Sequence, residues 1–207
     1  MSDAVAGVTG RRLTARLAAA QASGRLPSVV GAVVRDGVPV WNAHYGAEPW
    51  PGHDASDVQF RIGSITKTMT AVLVLRLVAA GRVHLDDPVC RVLGDVGYGD
   101  RTVGALLAHS SGRASEPAGA WWERTAGVGF DELAARHDGG RAAFPVGERF
   151  HYSNYAYALL GELVARVHGR SWWECLRGEL LDPLAMRRTT YLPEEPAAQG
   201  FSVHPYE

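Results

Sequence analysis

At 207 residues and 46% hydrophobic content, the chain is long enough for one domain or two small ones around a real core, which excludes disorder as its main state. The formal net charge is -1, and the 21 Lys plus Arg residues are scattered along the chain, so there is no basic face to follow a phosphate backbone or an anionic membrane. Nucleic acid and membrane are not expected as partners.

The opening "MSDAVAGVTGRRLTARLAAAQASG" has no continuous apolar stretch before a cleavage site and reads as a short amphipathic helix carrying Leu13 and Leu17. Export is not expected, and the setting expected is cytoplasmic. Next, "SVVGAVVRDGVPVWNAHYG" offers two β-rich runs joined by Asp36-Gly37, a pair that tolerates the positive φ angles of a tight hairpin. Residues 46–57, with two prolines and two glycines, read as a loop.

From Ser64 the pattern turns helical and stays apolar on nearly every side until Gly81, which predicts a central helix capped by that glycine. The apolar run from Met69 to Ala80 is interrupted by Arg76 and falls far short of the roughly 20 residues that span a bilayer. Further helices are predicted at 102–109, around 130–137, at 154–168 and at 171–181, separated by Gly- and Pro-rich segments. Cys90 and Cys175 stand apart without a CxxC spacing and are expected reduced. The eight histidines form no HExxH and no cluster with cysteine or carboxylates, so neither a metal nor another cofactor is expected.

Lys67 is the only lysine in the chain. In "FRIGSITKTMTA" it follows Ser64 by three residues, a spacing that puts both side chains on one helical face. A serine hydroxyl attacks at neutral pH only when a neighbouring base takes its proton. Lysine can serve if burial or nearby positive charge lowers its pKa, whereas arginine stays protonated. The helix start adds unpaired N–H groups and a positive dipole end, which favour negative charge developing there. By itself the spacing also suits a solvated surface lysine.

Downstream, "FPVGERFHYSNYAYALLGELV" sets Tyr152 and Asn154 at the entrance to a helix. Together with "FRIGSITKTMTAVLVLRLVAAGRVHLDDPV" and "TVGALLAHSSGR", in that order, it resembles the serine β-lactamase and penicillin-binding protein superfamily. The likeness is to the class C-like branch, which includes D-alanyl-D-alanine carboxypeptidases and related esterases, and the SxxK signature is part of it. The resemblance implies an α+β, β-lactamase/transpeptidase-like fold, here with an incomplete antiparallel sheet (the N-terminal hairpin) and a mostly helical region. It implies Ser64 as nucleophile, Lys67 as its base partner, Tyr152 as a second proton carrier and Asn154 as a hydrogen bonder to the acyl side of a small-molecule substrate. Trp121 and Trp122 lie where relatives have a variable segment near the substrate, and are expected either to line an acyl pocket or to pack as ordinary aromatics. His109, in His109-Ser110-Ser111-Gly112, resembles a structural turn histidine and is kept off the catalytic set.

Relatives carry a third motif, Lys-Thr-Gly or His-x-Gly, on a strand after the tyrosine. No second lysine exists here, and His137-Asp138-Gly139 precedes Tyr152, so that role is not transferred. The expected organisation is residues 1–60 as helix and hairpin, 61–190 as the helical region with both motifs, and 191–207 as the start of a missing C-terminal segment. A fragment, a natural truncation with little activity, or strands supplied by a second chain or by a copy in a homo-oligomer all account for this. The expected function is a serine hydrolase forming an acyl-enzyme on Ser64 with β-lactam, ester or D-amino-acid peptide substrates. The competing expectation is an inactive relative that acts as a binding or interaction module.

Overall fold

The computed structural model describes residues 5, 7–46, 57–112, 127–136 and 143–200. The chain divides into two compact units, one of residues 1–61 with 188–207 and one of residues 62–187.

The first unit begins with helix α1 (Gly7–Gly24) and continues into strands β1 (Ser28–Arg35) and β2 (Val38–Gly46). The strands pair antiparallel from Ser28 opposite Gly46 to Arg35 opposite Val38, with an irregularity between Val33 and Val34. Asp36 and Gly37 turn the chain with φ of 51° and 77°, the two left-handed residues that a twisted two-residue hairpin requires. Among the described residues these are the two strands of the sheet. Helix α1 packs on the hairpin, with Leu13 and Leu17 half-buried. Gly31 permits that approach, because a Cβ there would come within 3.1 Å of Leu17 Cδ1 and 3.3 Å of Trp41 Cζ3.

Gln59 stitches the later segment to this unit. Its N–H donates to the Pro196 carbonyl (2.9 Å) and its own carbonyl accepts from Ala198 N–H (2.7 Å). Its side-chain amide donates to the Arg188 carbonyl (2.8 Å) and accepts from the Glu194 N–H (2.7 Å).

The second unit is helical: α2 (Ile65–Ala79), α3 (Cys90–Leu93), α4 (Val103–Leu107), α5 (Phe130–Ala135), α6 (Asn154–His168) and α7 (Trp172–Leu176), followed by a π-helical turn at Arg177–Leu181. The hub is α6, which packs against α2, α3, α4 and α7. It buries Tyr155, Ala156, Leu159, Leu160, Leu163 and Val164, a stripe at helical period whose leucine and valine side chains each gain about 1.5–3 kcal/mol on leaving water.

The sequence makes α2 apolar on nearly every side. That helix buries one face, Thr70, Leu73, Val74 and Leu77, while Leu75 is 49% exposed. Its last turn gives way to Gly81 at φ 66°, as the sequence predicts. Helix α7 opens with a capping box between Ser171 and Glu174. The indole N–H of Trp172 donates to Thr70 Oγ1 at 3.2 Å, tying α7 to α2. Past the end of α2, the Arg82 guanidinium donates to the Val167 carbonyl in the last turn of α6 (2.6 Å).

Cys90 and Cys175 are both free. Among the described residues no helix is long and apolar enough to cross a membrane. No cluster of three or more His, Cys, Asp or Glu that could hold a metal occurs among them either.

Candidate active site

Gly63, with φ 52°, turns the chain into α2, a left-handed conformation that glycine adopts without strain. Ser64 follows at φ -69° and ψ -6°, and its hydroxyl makes no capping bond. An extended N-cap serine would spend its oxygen on the helix amides. Here the lead-in turn satisfies them instead, with the N–H groups of Ile65, Thr66 and Lys67 donating to the carbonyls of Ile62, Gly63 and Ser64 at 3.2, 3.1 and 3.0 Å. The expectation of several unpaired amides at this helix start is therefore corrected. Ser64 Oγ is exposed and free of backbone duties.

One turn on, Lys67 Nζ lies 3.2 Å from Ser64 Oγ. The Tyr152 hydroxyl approaches the same oxygen at 2.7 Å, from a residue 88 positions away in sequence. Lys67 Nζ also stands 4.8 Å from the centroid of the Tyr152 ring and 5.9 Å from that of Tyr157, so two electron-rich faces flank the ammonium. The structure thus gathers Ser64, Lys67 and Tyr152 around one oxygen.

Tyr152 is placed by the start of α6. Ser153 caps that helix, its hydroxyl accepting from the Ala156 N–H at 3.1 Å. Asn154, half-buried, is the first residue of α6. The segment before Tyr152 is clasped by the turn after α4. Gly147 N–H donates to the Ser110 carbonyl (2.8 Å), Ala143 N–H to the Gly112 carbonyl (2.8 Å) and His151 N–H to the His109 carbonyl (2.7 Å). Gly112 has φ 72°, and a Cβ there would lie 2.0 Å from the Phe144 carbonyl oxygen.

Two aromatic residues outside the sequence-derived set complete the surroundings. His109 stacks on Tyr152, with centroids 4.6 Å apart and planes at 29°, and lies 4.9 Å from the Tyr157 ring. Burial first, and the Lys67 charge second, lower its pKa below the usual histidine value. The Tyr157 hydroxyl donates to the Leu107 carbonyl at 3.2 Å. Burial, then the neighbouring Tyr152, push that phenol above its ordinary pKa. Tyr157 carries no signal in the sequence beyond its place in the 154–168 helix, and His109 reads there as a turn histidine. No sequence spacing links either to Ser64.

Trp121, Trp122 and the His137-Asp138-Gly139 triplet lie outside the described residues.

A hairpin-bearing α+β chain with a serine, a lysine and a tyrosine meeting at the start of a packed helix defines a protein of the β-lactamase/transpeptidase-like fold class. The chain belongs to the Beta-lactamase family, whose sequence profile matches residues 13–207. Among curated relatives, Penicillin-binding protein 4 of Amycolatopsis lactamdurans is 36% identical over 152 residues, covering 68% of this chain and 38% of that protein. Esterase EstB of Burkholderia gladioli is 31% identical over 200 residues, covering 87% of this chain and 51% of the esterase. Among solved structures, a D-stereospecific amidohydrolase from Streptomyces sp. superposes with a TM-score of 0.74 at 31% identity, covering 91% of this chain and 60% of that one. The chain therefore spans between 38% and 51% of the length of these two curated relatives.

Proposed function

We propose that the chain carries the acyl-transfer site of a serine hydrolase, with Ser64 as nucleophile, Lys67 and Tyr152 as its proton partners, and Asn154 as a hydrogen bonder to the acyl side of the substrate. The observation that carries this reading is the placement of Ser64 Oγ within hydrogen-bond distance of both Lys67 Nζ (3.2 Å) and the Tyr152 hydroxyl (2.7 Å). In the first step the Ser64 proton passes to one of these partners as Oγ bonds to the acyl carbon. The tetrahedral intermediate collapses when the leaving group departs with a proton from the same pair, leaving an ester on Ser64. Water then attacks that ester, and its proton returns through Tyr152 and Lys67 to the serine.

The substrates are small molecules with an activated acyl carbon: β-lactams, esters or D-amino-acid amides and peptides. The range is supported by family membership and by relatives described as a penicillin-binding protein, an esterase and a D-stereospecific amidohydrolase.

Labelling with a serine-directed fluorophosphonate or a β-lactam probe, followed by peptide mass spectrometry, tests the assignment. The adduct is expected on Ser64, abolished in Ser64→Ala and slowed at least about 100-fold in Lys67→Ala, the scale of a lost general base. Well-folded wild-type protein that takes no label at high probe concentration would sink the proposal.

A further inference from the structure

Helix α4 ends in a turn where Ser110 N–H donates to the Ala105 carbonyl (2.9 Å) and His109 N–H to the Leu106 carbonyl (3.2 Å). This pairing favours glycine at the residue following the cap, yet the position holds His109 at φ 53°. Histidine tolerates the left-handed region better than most side chains, but glycine carries no penalty there at all. The imidazole's contacts give a reason for its presence. Nδ1 accepts the Ser153 N–H at 3.1 Å, the His109 carbonyl accepts the His151 N–H at 2.7 Å, and the ring stacks on Tyr152. The residues on both sides of Tyr152 and the face of its own ring are all held by one amino acid.

We infer that His109 is the positioning residue for Tyr152: as a neutral imidazole protonated on Nε2 it fixes residues 151–153 so that the phenol meets Ser64 Oγ, and protonation of Nδ1 releases that hold. The inference rests on the reading of Ser64, Lys67 and Tyr152 as the reacting groups. A backbone N–H can only donate, so Nδ1 must offer a lone pair, which an imidazolium lacks. The titratable and charged groups facing the ring are Lys67 from α2, Tyr157 from α6, and Tyr152 from the segment before α6. Burial and the Lys67 charge keep the imidazole neutral at neutral pH. As pH falls through this depressed pKa, Nδ1 gains a proton, the bond to Ser153 is lost, and acylation of Ser64 declines on the acid side.

Two variants and one spectrum test this. His109→Gly suits the turn by backbone preference but removes both acceptor and ring; kcat for a small ester is expected to fall about 100-fold with KM little changed, the cost of a misplaced reacting group. His109→Asn also tolerates positive φ and sets its Oδ1 where Nδ1 lies. It is expected to recover kcat to within about tenfold of wild type and to lose the contribution of His109 to the acid limb of the pH profile, since an amide does not titrate. A histidine serving only the turn predicts wild-type kcat in His109→Gly, and that result, or an unchanged acid limb in His109→Asn, overturns the inference. Imidazole 15N NMR of the wild-type chain reads the same point without turnover. The expected signature is an unprotonated Nδ1 whose titration moves the Ser153 amide resonance with it. If no ester or probe reacts, the proposed function fails while this spectrum still decides the role of His109: an Nδ1–H tautomer, or a Ser153 amide indifferent to the titration, overturns it.

Discussion

Lys67 holds its ammonium nitrogen 3.2 Å from Ser64 Oγ and over the ring of Tyr152, and both neighbours explain why this position of the chain carries its one lysine. A guanidinium would supply charge and hydrogen bonds, but it does not surrender a proton in proteins. Lys67→Arg is therefore expected to fold with a melting temperature within a few degrees of wild type while losing about 100-fold or more in Ser64 labelling rate; equal rates in the two proteins would show that the lysine acts only as a charge. At this scale the pairing of Ser64 with Lys67 was legible in the sequence, because an i, i+3 spacing and a lysine unique in composition are local facts, whereas Tyr152 entered only through the family resemblance. His109 and Tyr157 were not legible as parts of the site. Their relation to Ser64 arises from ring stacking across α4, α6 and the loop between them, which no spacing along the chain encodes.

Helices α2 and α6 meet at Ser64 and Tyr152, and what fixes the start of α6 decides whether they meet correctly. The Ser153 hydroxyl accepts the Ala156 N–H, so Ser153→Ala is expected to destabilise the fold by about 1 kcal/mol, measured by urea unfolding at constant m. Gly112→Ala should be worse, at least about 2 kcal/mol, because its Cβ would meet the Phe144 carbonyl oxygen at 2.0 Å from a left-handed backbone. A Gly112→Ala protein as stable as wild type would mean that residues 143–147 do not depend on the turn after α4. Elements with local signals were read well: the hairpin from Asp36-Gly37, and α6 over the same 154–168 span that its apolar period predicts. The stretch 171–181 instead divides into an α-helix and a π-helical turn, since a periodic pattern does not distinguish i+4 from i+5 hydrogen bonds. Helix α3 escaped notice because four residues are too few to show a period. It is held by distant bonds, Val89 N–H to the Arg101 carbonyl and Cys90 N–H to the Gly99 carbonyl. The all-round apolar composition of α2 gave no sign of which face α6 would cover.

For the whole molecule, the sequence conveyed the α+β class and the family likeness, whereas the links made by Gln59 to residues 188–198 join positions more than a hundred apart and have no local signature. The interiors of the two units differ greatly. Between the hub helix α6 and its neighbours lies a continuous cluster from Leu73 to Leu181. In the unit of α1 and the hairpin, the buried residues among those described are Trp41 and Pro196, and α1 buries none. Little apolar surface is lost to water when such a unit opens, so its opening free energy lies near the low end of the range within a folded protein. Amide hydrogen exchange should grade the chain accordingly: α1, β1 and β2 exchange first through local opening, and the middle of α6 last, near the global unfolding limit. Equal protection in α1 and α6 would contradict this. Ser64, Lys67 and Tyr152 all lie in the unit of residues 62–187 that α6 holds together, so their geometry is expected to outlast the opening of the hairpin on the same molecule.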